Sequence, residues 1–151
     1  MKTFNDTLNQ KPIESMIEFS IFKNEKNLLI QIFCGEKKDI LEYILNVIAK
    51  ELPQAVCIGS STDGEMNNSE ITTLNTVITI SVFKETTLKI VSVDEIDSFS
   101  NGVKLASLLC SEDTKLLITF TDGAKTNGEE FLNGVSSIND KMLVWWWNGW
   151  R

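Results

Sequence analysis

The apolar run Leu28-Leu29-Ile30-Gln31-Ile32-Phe33, a helical period after it, and the run Ala55-Val56-Cys57-Ile58 together constrain the fold more than anything else in the chain. Short, nearly unbroken apolar runs fit strands buried on both faces. Between them Leu41, Ile44, Leu45, Ile48 and Leu52 recur at helical spacing. Asp39, with Glu42 three residues on, marks the helix start, and Pro53 stops it. A strand–helix–strand unit of this kind normally joins two parallel strands by a right-handed crossover.

The remaining segments fill in an α/β fold. Residues 1–12 are polar and end in Pro12, which predicts a flexible N-terminal arm. Residues 13–23, with Ile13, Met16, Ile17, Phe19 and Ile21, predict a short helix on the core. From 75 to 83 the pattern alternates, Ile78, Ile80 and Val82 against Thr79 and Ser81. Residues 88–93 follow the turn-like Lys84-Glu85-Thr86-Thr87, so an antiparallel hairpin is expected. A helix over 100–110, a buried strand over 115–120 and a helix capped by Thr126 and running to Val135 come next. Met142-Leu143-Val144 starts one more strand, which the tail is expected to interrupt. The fold class is α/β, a mixed, mostly parallel sheet with an antiparallel hairpin and flanking helices. At 151 residues the chain has the size of one domain.

Composition removes several functions. With 14 basic and 21 acidic residues the net charge is −7, which disfavours a phosphate backbone and so nucleic acid. There is no histidine, hence neither the commonest general base nor the commonest metal ligand. Cys34, Cys57 and Cys110 are odd in number and lie in or beside apolar runs, as small buried hydrophobes in a reducing compartment do. The start lacks the apolar region of a signal peptide, and no stretch approaches the roughly 18 apolar residues of a membrane helix. The chain reads as cytoplasmic, without membrane insertion and without a cofactor or metal.

Polar residues and glycines concentrate where buried strands end. Gly59-Ser60-Ser61-Thr62-Asp63-Gly64-Glu65 directly follows the second strand. In open α/β sheets ligands bind outside the carboxyl ends of strands, which makes this the default site. Gly59 and Gly64 have the spacing of a phosphate loop, but Glu65 stands where its lysine belongs and repels phosphate. The segment also approaches a nucleophile elbow, yet the last glycine and the histidine base are absent. A tight turn joining two elements is the plain alternative. The second segment runs from Asp122-Gly123 to Asn127-Gly128-Glu129-Glu130. There Thr126 and Glu129 read as a capping box, while Asp122 at the strand end is left unexplained. The two strand-end loops are expected to line one cleft for a ligand carrying an amine or hydroxyls. The acidic run Asp94-Glu95-Ile96-Asp97 reads as a solvated entry to a helix.

The segment from Val56 to Met66 resembles the (I/V)-G-x-(S/T)-T-x-G-E-(I/M) signature of the FIST sensory domain, with Asp63 in place of the usual small residue. Asp122-Gly123 followed by Asn127-Gly128-Glu129-Glu130-Phe131-Leu132 resembles that family's D-G…N-G-E-x-(L/F)-L segment. The resemblance spans residues 28–144. It implies a cytoplasmic, non-enzymatic sensory module for a small-molecule ligand, with amino acids the implied class and a signalling output domain that this chain does not carry. Gly59, Ser60, Ser61, Thr62, Asp63, Gly64, Glu65, Asp122 and Asn127 are the ligand-binding residues it points to.

All four tryptophans lie in the last seven residues, Trp145-Trp146-Trp147-Asn148-Gly149-Trp150-Arg151. Tryptophan has the single codon TGG, so reading one base later gives glycines. The shifted tail is compatible with Gly-Gly-Gly-Met-Ala-Gly-Asp, which matches the family's next landmark, G-G-x-A-G-D. The organisation expected is an arm (1–12), a partial, incomplete FIST N-terminal domain (13–144) and an out-of-frame tail (145–151). Two rivals remain. One is a fragment whose tryptophans bind a protein partner; the other is a transferase using Cys57 or Ser61.

Overall fold

The computed structural model describes residues 1–67 and 69–149, in two compact units, Met1–Leu88 and Lys89–Arg151. The first contains β1 (Lys2–Thr7), α1 (Ile13–Met16), a 3-10 turn (Phe19–Phe22), β2 (Leu28–Cys34) and α2 (Lys38–Glu51). It continues with β3 (Val56–Ser61), β4 (Glu65–Asn67), β5 (Glu70–Thr72) and β6 (Thr76–Val82). The expected strand–helix–strand unit is present: β2 and β3 run parallel, with Ile30 opposite Cys57 and Ile32 opposite Gly59. The sheet order is β1-β6-β2-β3, and β6 is antiparallel to both of its neighbours. Ile30, Ile32, Ile44, Ile48, Leu52, Ile78 and Ile80 are buried in one cluster, so the helical and strand periods read from the sequence meet in a single core.

Four expectations change here. Residues 88–93 form no strand, because both edges of β6 are already occupied, by β1 and by β2. The antiparallel hairpin that does form is the short pair β4–β5. The arm over residues 1–12 contains an edge strand, β1, whose polar side chains find partners on β6. Thr79 donates from Oγ1 to Asn5 Oδ1 at 2.7 Å, and the Thr3 and Ser81 hydroxyls lie 3.4 Å apart. The helix over 13–23 is broken after Met16, where Ile17 turns extended. Ile13, Phe19 and Phe22 all enter the core, and spacings of six and nine residues do not share one face of a helix. Asp39 lies in the first turn of α2, and Lys37 takes the cap position without a side-chain bond.

The second unit contains α3 (Ser98–Leu109), β7 (Leu116–Asp122), α4 (Gly128–Ile138) and β8 (Leu143–Gly149). The acidic run ahead of α3 supplies its cap, because Asp97 accepts the Ser100 N–H at 2.7 Å. Those bonds hold the Asp97 carboxyl below the ordinary aspartate range. β7 and β8 pair in parallel, Leu117 opposite Val144 and Thr119 opposite Trp146. The tail therefore does not interrupt the last strand: Trp145, Trp146 and Trp147 belong to it. Trp150 and Arg151 lie outside the described residues.

Alternation along β8 sorts its side chains. Val144 and Trp146 pack with Ala106, Leu117, Phe131 and Val135, and the Trp146 indole N–H donates to Thr121 Oγ1 at 3.0 Å. Trp145 and Trp147 point the other way and are 64% and 48% exposed, beside the exposed Leu116 and Leu143. The cap of α4 is Asn127, which accepts the Glu129 and Glu130 N–H groups, and not Thr126. Thr126 instead donates its backbone N–H to the Asp122 carbonyl.

Candidate functional site

β3 extends three residues further than its apolar run. Gly59, Ser60 and Ser61 are strand residues opposite Ile32, Phe33 and Cys34, so the connection to β4 shrinks to Thr62, Asp63 and Gly64. Gly59 is needed for this pairing. A Cβ there would lie 2.0 Å from the Ile32 carbonyl oxygen, a main-chain atom of the central strand. Thr62 closes the strand end by donating its N–H to the Cys34 carbonyl at 3.0 Å. The Ser60 hydroxyl donates to the Ser61 carbonyl at 2.9 Å. Asp63 and Gly64 are exposed.

Beyond these ends lies a buried polar cluster. Glu65, 2% exposed, accepts the Thr62 hydroxyl on Oε1 at 2.6 Å. Its other oxygen, Oε2, is buried without a hydrogen-bond partner among the described residues. The carboxylate rests on Gly35, where a Cβ would lie 2.2 Å from Oε1. Gly35 in turn donates its N–H to the Asn75 carbonyl at 2.8 Å. The buried Thr76 hydroxyl is 2.6 Å from Glu36 Oε2 and 3.2 Å from Cys34 Sγ.

Gly35, Glu36, Asn75 and Thr76 are additions that the sequence reading missed. Gly35-Glu36 directly follows an apolar run, so the strand-end rule that drew attention to residue 59 applied equally to residue 35. Asn75 and Thr76 carry no such sign, because they open a strand and do not close one.

Asp122 and Asn127 belong to the second unit, the 59–65 segment to the first. Asp122 Oδ1 accepts the Ala124 N–H at 2.9 Å, and Oδ2 lies 3.7 Å from Lys125 Nζ. It holds the turn after β7 as Asn127 holds the start of α4. Both side chains thus have local structural partners.

Nucleophilic chemistry finds little support. Burial pushes the Cys57 thiol up to about 11, which keeps it protonated and poorly nucleophilic near neutral pH. Burial also raises Cys110. For Ser61, the other nucleophile considered, the chain has no histidine to act as base. Among the described residues no helix is long and apolar enough to cross a membrane.

The family model of the FIST N domain matches residues 28–144, from the first residue of β2 to the second of β8. Neither a curated protein nor a solved structure matches the chain. The match covers more than half of the sequence and includes both strand-end motifs. The chain belongs to the FIST N domain family, a sensory domain family of signal-transduction proteins.

Proposed function

We propose that this chain is a cytoplasmic, non-catalytic sensory domain that binds a small molecule at the carboxyl ends of β2 and β3. The carrying observation is the polar cluster of Thr62, Glu65, Asn75 and Thr76, all at least half-buried, at the ends of adjacent parallel strands. Burying polar groups in a small unit has a cost that a ligand's hydrogen bonds would repay. Amino acids are the ligand class that the family resemblance favours. Gly59, Ser60, Ser61, Thr62, Asp63, Gly64 and Glu65 line this site in the reading proposed. In the second unit, Asp122 and Asn127 are the further ligand-binding candidates. The signal then passes to an output domain on a longer form of the protein or on a partner.

The test is thermal melting of the chain with each of the twenty L-amino acids and with their deaminated carboxylic-acid counterparts. A true ligand at a hundredfold excess over its Kd adds about 2.7 kcal/mol, and Thr62→Ala is expected to abolish the shift. A panel without any shift would defeat the reading.

The tail is proposed to be out of frame. Sequencing the source DNA from codon 130 onward is expected to reveal an open shifted frame beginning Gly-Gly-Gly at codon 145. A closed frame would bring forward the second reading, a partner-binding surface, which the exposure of Trp145 and Trp147 favours.

A further inference from the structure

We infer that Glu65 is the acceptor for a protonated nitrogen of the ligand, an ammonium or guanidinium group. The inference rests on the small-ligand reading above and assigns it one residue and one charge. A buried carboxylate oxygen without a donor is uncommon, since buried polar atoms are nearly always paired. Oε2 of Glu65 is such an atom, while Oε1 of the same group is held by Thr62.

The surroundings select the sign of the missing partner. Gly35 offers no side chain, so the carboxylate sits directly against the main chain at the end of β2. Glu36 follows immediately in the chain, and its own carboxylate is engaged, with Oε2 accepting the Thr76 hydroxyl. A second carboxylate brought into such a place is repelled, and a neutral acceptor leaves Oε2 as it was. A cationic N–H donor satisfies the oxygen and offsets the charge, the strongest pairing open to it.

Oε2 has no solvent-exposed surface, so the ligand nitrogen reaches it as β4, the three-residue strand that begins with Glu65, shifts outward. Recognition of the charged end is thereby coupled to movement of β4, a response a sensory domain can transmit.

The same melting panel separates this inference from the broader reading, because every amino acid is paired with an acid that differs by the amine. Simple amines (methylamine, agmatine) complete it. The expected result is a shift with amine-bearing compounds and none with their deaminated partners. For the compound with the largest shift, Glu65→Gln is expected to weaken binding at least about thirtyfold by calorimetry. Glu70→Gln, at an exposed position on β5, is expected to leave it unchanged. Shifts from deaminated acids alone would leave the sensor reading standing and overturn the role of Glu65. So would an amine that binds equally well to Glu65→Gln. A panel without shifts defeats both. The panel runs on the unsubstituted chain, so a variant that fails to fold does not remove the test.

Discussion

Gly102→Ala is expected to destabilise the second unit by about 2 kcal/mol, although alanine is the better helix former. In α3 a Cβ at Gly102 would lie 2.1 Å from the Phe131 carbonyl oxygen and 2.9 Å from the Val135 nitrogen. Both are main-chain atoms of α4, and a helix backbone does not yield one carbonyl at a time. Gly134 faces the same situation in return, with Phe99 O at 2.2 Å and Val103 N at 3.0 Å. The two helices touch through their backbones where the two glycines meet.

Overpacking costs up to about 3 kcal/mol, and alanine's helix preference returns about 1 kcal/mol, so the steric term wins. Denaturant unfolding would read this as a lower midpoint. The double variant Gly102→Ala with Gly134→Ala is expected to cost less than the sum, because one separation of the helices relieves both clashes. Variants as stable as the parent would mean that the helices do not approach this closely.

Gly59→Ala and Gly64→Ala should behave oppositely, although both glycines belong to one motif. The first places a methyl 2.0 Å from the Ile32 carbonyl and forces β3 away from the central strand. It is expected to cost about 3 kcal/mol. It should also break the bond from Thr62 N–H to the Cys34 carbonyl and abolish ligand binding. The second meets nothing nearer than the Thr72 carbonyl at 3.6 Å, and its backbone does not need a positive φ. It is expected to be neutral, or to stabilise by about 0.5 kcal/mol through a less flexible unfolded chain. Equal losses at both positions would show that Gly64 also serves packing. A harmless Gly59→Ala would show that β2 and β3 can separate without cost.

The contrast between these glycines marks the limit of motif reading. The motif located the segment and its family and gave both glycines the same ligand-binding assignment, with no distinction between them. The contact with Ile32 makes Gly59 part of strand pairing. Asn127 and Asp122 likewise have a capping or turn partner that is visible only in three dimensions.

Local pattern determined the strand–helix–strand unit, the α/β class, the strand-end position of residues 62–64 and the family resemblance. Those features depend on periodicity and on short motifs, which a residue carries with its immediate neighbours. Tertiary structure decided the rest. β1 became a strand because β6 offered it an edge, and residues 88–93 did not because that edge was taken. The tryptophans continue β8 because β7 lies alongside to pair with them. Glu65 meets Gly35 across thirty positions of sequence, and Gly102 meets Gly134 across thirty-two. A period records which side of its own backbone a residue faces. Which distant backbone it then meets follows from how the elements pack.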